Sequence, residues 1–223
     1  MNAERFNKVT EEYTERYKGL LTMIWPTIND NGFNEHNQTV NFLSAYEKVS
    51  RVFNENISTW YEFQIPNGDK GDNRIDAIII NHTIKSILIV ESKRFSQNKI
   101  KEKRRSLGED LTRIINLDLE NRFQSVFCDG ESIHNYSFYG VLLFDLWTYS
   151  KKHEKEKETY ELWSSFCDNH DIQSLFGFLC LDPKIEPQIA SKSYLPTIQE
   201  VRKYENSTYH LGVFALELHN QYN

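Results

Sequence analysis

The chain has 223 residues, 39% hydrophobic and 26% charged, with a formal net charge of −6. That composition belongs to a folded domain with a full core and argues against intrinsic disorder. No stretch reaches the roughly 20 apolar residues of a membrane span, and the opening Met1–Lys8 has no apolar signal core, so a cytoplasmic protein with no membrane partner is expected. The negative charge weighs against coating nucleic acid by bulk attraction, although local basic patches can still bind phosphate. Cys128, Cys167 and Cys180 are too far apart in sequence for a zinc pair.

In chain order, residues 3–24 carry Val9, Tyr13, Tyr17, Leu20, Leu21 and Ile24 at helical spacing, and Pro26 ends the run. A polar loop follows. A second helix is expected from Gln38 to Phe53, with Phe42, Ala45, Tyr46, Val49 and Phe53 inward and Glu47 on the border of that stripe. Ser58–Ile65 reads as the first core strand, and Pro66–Asn73 as a turn-rich loop holding Asp69 and Asp72.

Two β-branched runs come next, Ile75–Ile80 and Ile84–Val90, separated by Asn81, His82 and Thr83. They are short for helices and rich in strand formers, so they read as buried strands. The first opens on Asp76 and the second ends in Glu91-Ser92-Lys93. Alternation puts Glu91 and Lys93 on one face and Ser92 on the other. A four-residue loop His82–Lys85 sets Asp76 across from Glu91, at roughly the 5 Å of a cross-strand pair. Two carboxylates so placed repel unless a proton or cation lies between them. Hard oxygen ligands suit Mg²⁺ or Mn²⁺.

A basic run, with Arg94, Lys99, Lys101, Lys103, Arg104 and Arg105, leads from Lys93 into a helix over Lys99–Leu119. Leu107, Leu111, Ile114 and Ile115 give that helix its inner face, and Gly108 within it costs about 1 kcal/mol relative to alanine. Tyr136–Trp147 reads as a fourth core strand. Lys151–Glu158 reads as a linker or helix start, Tyr160–Asn169 as a helix and Phe176–Leu181 as a short strand. Lys184–Thr197 is expected to be irregular, and Tyr209–His219 to be a late strand. Residues 1–223 then make one domain, with a core at about 35–150 and a C-terminal extension at about 151–223.

Asp76 with Glu91-Ser92-Lys93 on adjacent strands resembles the PD-(D/E)xK nuclease superfamily, which includes restriction endonucleases and RecB-like nucleases. The proline in the pattern's name is absent before Asp76. The resemblance implies an α/β fold, with a restriction-endonuclease-like αβββαβ core, a mixed central sheet flanked by helices, and the C-terminal extension added to it. It also implies metal-dependent hydrolysis of DNA phosphodiester bonds, leaving 5′-phosphate ends. Asp76 and Glu91 would hold Mg²⁺ or Mn²⁺, with the Ser92 carbonyl as a further ligand, and Lys93 would serve the attacking water, its own pKa depressed by the metal. Glu47 is the candidate for the acid that this family brings from a preceding helix, and Glu62 is a weaker one. Gln97 lies too early to match the glutamine RecB-like members carry on the following helix. Arg94, Lys99, Lys101, Lys103, Arg104 and Arg105 would contact DNA phosphates. A homodimer or a larger delivering protein, and phage defence or restriction, are the implied settings. The alternatives are an RNA-directed nuclease and an inactive nucleic-acid-binding or assembly protein on the same fold.

Overall fold

The computed structural model describes residues 2–23, 35–64, 74–95, 99–124, 132–149 and 154–218. Asp69, Asp72, Gln97 and Cys128, the loop Pro66–Asn73 and the helix stop at Pro26 lie outside the described residues. The order is α1 (Ala3–Met23), α2 (Glu35–Val52), β1 (Ile57–Gln64), β2 (Arg74–Asn81), β3 (Ser86–Arg94), α3 (Ile100–Ile115), α4 (Leu119–Gln124) and β4 (Ser137–Tyr149). Then come α5 (Glu154–Asn169), α6 (Ile172–Leu179), α7 (Glu186–Ala190), β5 (Tyr194–Lys203) and β6 (Ser207–Leu218). The protein is α/β, with one mixed six-stranded sheet in the order β1-β2-β3-β4-β6-β5. β3 and β4 run parallel and every other neighbouring pair is antiparallel. The parallel pair needs a crossover, and α3 supplies it.

Alternation along the strands divides the interior into two cores. Ile87 and Ile89 of β3 pack with Leu107, Leu111 and Ile114 of α3 and with Trp163 and Phe178 beyond them. Leu88 and Val90 face the other way, onto Tyr13 and Tyr17 of α1 and Phe42 and Tyr46 of α2. The β2–β3 connection is the four-residue turn 82–85, with Lys85 in the left-handed region at φ 51°. The paired residues Ala77–Val90 through Asn81–Ser86 follow the register expected from that loop. The paired residues end at Ala77–Val90, one step short of Asp76 and Glu91.

The C-terminal third differs from expectation. Phe176–Leu181 is not a strand: Ile172–Leu179 is helical, with Asp171 capping its start and Cys180 closing it in a left-handed conformation. A short, continuously apolar run cannot separate a buried strand from a buried helix by its period. The region expected to be irregular contains the start of β5, and Pro196 sits within it. β5 is an edge strand, where a missing amide donor is tolerated. β6 pairs with β4 along its length, so residues after 150 supply two of the six strands. Gly108 also acquires a reason. A Cβ there would lie 2.3 Å from the Leu179 carbonyl oxygen, so α6 crosses α3 too closely for any side chain.

Candidate active site at the end of the central strands

At the C-terminal end of β3, Glu91 and Lys93 face α3, while Ser92 faces α2. Glu91 is 2% exposed and Ser92 is fully buried. On β2, Ile75 belongs to the core under α3 but Ala77 to the core under α1 and α2, so strict alternation fails around Asp76. The β1–β2 pairing runs through Tyr61–Ala77 and Phe63–Ile75 without a Glu62–Asp76 pair, and Glu62 is left-handed at φ 48°. Such a conformation costs a non-glycine residue about 1–2 kcal/mol. This local irregularity accompanies the turn of Asp76 toward the end of β3. Asp76 Oδ2 accepts from the Ser92 amide at 2.7 Å and lies 2.8 Å from the Ser92 hydroxyl.

The start of α2 closes the same corner. Ser92 Oγ lies 3.0 Å from the Glu35 carbonyl oxygen and 2.9 Å from Thr39 Oγ1. Glu35 Oε1 accepts from the Arg94 amide at 3.2 Å and pairs with Lys103. Gln38 donates to the Lys93 carbonyl at 3.4 Å. The backbone carrying Ser92, Lys93 and Arg94 is thus gripped by one helical turn.

On the opposite face, α3 contributes Asp110 and Arg113, three residues apart and therefore neighbours on one side of the helix. Lys93 Nζ lies 2.7 Å from Asp110 Oδ2, and Arg113 reaches Asp110 Oδ1 at 3.1 Å. The same Arg113 Nη2 pairs with Glu91 Oε1. Burial, followed by repulsion from Asp110 and Asp76, pushes the Glu91 carboxyl up to about 8, and Arg113 and Lys93 only partly offset this. Burial works against the charge on Lys93, yet Asp110, Glu91 and Glu35 hold its pKa above the ordinary lysine value.

No family model, curated protein or solved structure matches this chain.

The structure brings Asp76, Glu91, Ser92 and Lys93 together, and adds Asp110, Arg113 and Glu35. Glu47 sits elsewhere: its carboxylate accepts from Thr59 at 3.3 Å. Thr59 pairs with Ile79, three residues along β2 from Asp76, roughly 10 Å away. Glu62 is exposed on β1. Of the basic residues, Lys99, Lys101 and Arg105 are exposed at the start of α3. Arg104 turns inward, donating to the Phe178 carbonyl at 2.5 Å, to the Gly177 carbonyl and to Thr159 at 3.1 Å. It is 6% exposed, so it holds α6 against α3 and leaves no guanidinium for a phosphate. Arg94 approaches the buried Asp145 at 3.9 Å, and Tyr209 donates to that same carboxylate at 3.0 Å.

Could these residues hold a divalent ion? Among the described residues, no three histidine, cysteine or acidic side chains are gathered as a metal cluster. Mg²⁺ does not require one, since it commonly binds through one or two carboxylates and keeps several waters. The chemistry of the donors fits: Asp76 and Glu91 project from neighbouring strands, and a cation would offset the repulsion from Asp110 and Asp76 that adds to burial in raising Glu91.

Proposed function

We propose that this chain is a metal-dependent nuclease that hydrolyses DNA phosphodiester bonds, built on a PD-(D/E)xK site and a restriction-endonuclease-like core. The observation that carries the reading is a buried glutamate, Glu91, whose carboxyl is lifted to about 8 while Asp76 and Asp110 act on it from β2 and α3. Burying Glu91 within reach of two half-buried acids is costly in a purely structural role, where apolar residues pack at least as well. The α2-β1-β2-β3-α3-β4 order, with β3 parallel to β4 through a crossover helix, supports the fold assignment.

Asp76 and Glu91 would hold Mg²⁺ or Mn²⁺. Bound there, the ion would acidify a water and offset charge building on the phosphate. Ser92 fixes Asp76 in place through its amide and hydroxyl. Lys93, kept charged by Asp110, offers an ammonium beside the acids to hold the attacking water and to balance phosphate charge. Glu35 takes the place expected of Glu47, since it is the acid α2 brings to this corner. Lys99, Lys101 and Arg105 provide phosphate contacts that position the duplex without reading its sequence.

The test is digestion of labelled DNA and RNA in parallel, with Mg²⁺, with Mn²⁺ and with chelator, by wild type and Lys93→Ala. The expected result is metal-dependent cutting of DNA, leaving 5′-phosphates, that Lys93→Ala loses. Cutting of RNA alone would replace the substrate. Cutting unchanged in Lys93→Ala would remove Lys93 from the mechanism.

A further inference from the structure

Arg113 has no part in the motif, yet it occupies the position where charge in this cluster is decided. Its Nη2 bridges the buried Glu91 and the half-buried Asp110, and its side chain is 29% exposed, so it reaches from Glu91 toward the surface. Among the described residues its Nε is buried without a hydrogen-bond partner. A guanidinium has five donors in a planar fork suited to phosphate oxygens. The protein uses one nitrogen of this fork on two acids.

Charge balance gives the same indication. Asp76, Glu91 and Asp110 face Lys93 and Arg113, which leaves one negative charge when all are ionised. One divalent ion turns that into one positive charge, and one phosphodiester then brings the cluster to neutrality. In that state Glu91 faces a cation of its own and no longer needs Arg113.

We propose that Arg113 is a phosphate-binding residue of the site, stored on Glu91 in the metal-free protein and released to a non-bridging oxygen of the substrate phosphodiester when Glu91 ligates a divalent ion. The proposal rests on the nuclease reading and adds a substrate contact to it. Arg113 keeps its contact with Asp110 throughout, so Asp110 aligns both cations, Lys93 on one oxygen and Arg113 on the other.

The experiment is fluorescence anisotropy of a labelled DNA duplex with the full chain, once in Ca²⁺ and once in EDTA, for wild type, Arg113→Gln and Arg113→Lys. The same samples are run on a gel with Mg²⁺ for cleavage. In Ca²⁺, Arg113→Gln should bind roughly 10- to 100-fold more weakly, the range for removal of a charged hydrogen bond. Arg113→Lys should bind severalfold more weakly, because it keeps the charge and loses the fork. In EDTA both variants should lie within about twofold of wild type, since the guanidinium is then committed to Glu91. Melting curves check the fold, and Arg113→Lys, which preserves the pair with Glu91, decides the matter should Arg113→Gln unfold. Wild-type affinity of Arg113→Lys in Ca²⁺, or an equal loss in Ca²⁺ and EDTA, overturns the role of Arg113 while a cutting wild type leaves the nuclease reading standing. A wild type that neither binds nor cuts overturns both.

Discussion

Asp76 Oδ2 takes two hydrogen bonds from a single residue, the amide and the hydroxyl of Ser92, across the gap between neighbouring strands. Ser92, between Glu91 and Lys93, therefore holds Asp76 at the end of β3. Ser92→Ala removes the hydroxyl from a fully buried corner it shares with Glu35 and Thr39. It should cost about 1–3 kcal/mol in urea unfolding and weaken divalent-ion binding by roughly 10-fold. Unchanged ion affinity would mean that Asp76 needs no such support.

Glu91 predicts a pH signature of the metal-free protein. Its carboxyl sits at about 8 in the fold against an ordinary 4.5, so the folded state keeps a proton that the unfolded chain has released. Stability then falls as pH rises from about 4.5 to about 8. The slope from this one group is at most about 1.4 kcal/mol per pH unit. Glu91→Gln should remove that contribution. Asp110, Asp76, Arg113 and Lys93 face the same carboxyl, and Asp145, lifted by burial to about 6, adds a slope of the same sign at lower pH. The readout is therefore the difference between variant and wild-type denaturation midpoints across pH, and parallel profiles would refute the assignment.

Gly108→Ala separates helix propensity from packing. Propensity alone favours alanine in a helix interior by about 1 kcal/mol. The 2.3 Å approach of the Leu179 carbonyl forbids the methyl group, so the variant should lose about 1–3 kcal/mol in thermal or urea unfolding. A stabilised variant would show that α3 and α6 cross at a greater distance.

The basic run divides into two kinds of residue, and substitution should tell them apart. Arg104→Ala strips donors from two buried carbonyls and should destabilise the fold by about 3 kcal/mol or more. Its DNA affinity, measured on the folded fraction, should hold. Replacing Lys99, Lys101 or Arg105 with glutamine should leave stability within about 0.5 kcal/mol. Wherever one of these three cations meets a phosphate, its replacement should reduce the salt slope of DNA binding by about 1. A constant salt slope through all three would place the duplex on another face.

The central strands are legible in the sequence because their signals are local. The β-branched runs and the four-residue turn together set the register from Asn81–Ser86 to Ala77–Val90, one step short of Asp76 and Glu91. Asp110 and Arg113 escape a sequence reading because they reach the site through tertiary packing. A helical projection puts Asp110 within roughly 60° of the Leu107–Leu111–Ile114 stripe, so an acid on its border is the available clue. Glu35 escapes because the expected helix starts at Gln38, three residues late, which leaves Glu35 in a loop and Glu47 as the apparent acid of that helix. Arg104 looks like its basic neighbours in sequence, and only the position of α6 shows that it points inward. β5 is hidden by its proline, and α6 by a run too apolar to show a period.

The most direct test of the account is a calorimetric titration of Mn²⁺ into the metal-free protein at pH 7, repeated in two buffers of different ionisation enthalpy. Wild type should bind and release close to one proton per ion, the proton Glu91 holds at that pH, while Asp76→Asn and Glu91→Gln should lose most of the affinity and Glu91→Gln the proton release. Binding of equal strength and equal proton release in all three proteins would contradict a cation site shared by Asp76 and Glu91.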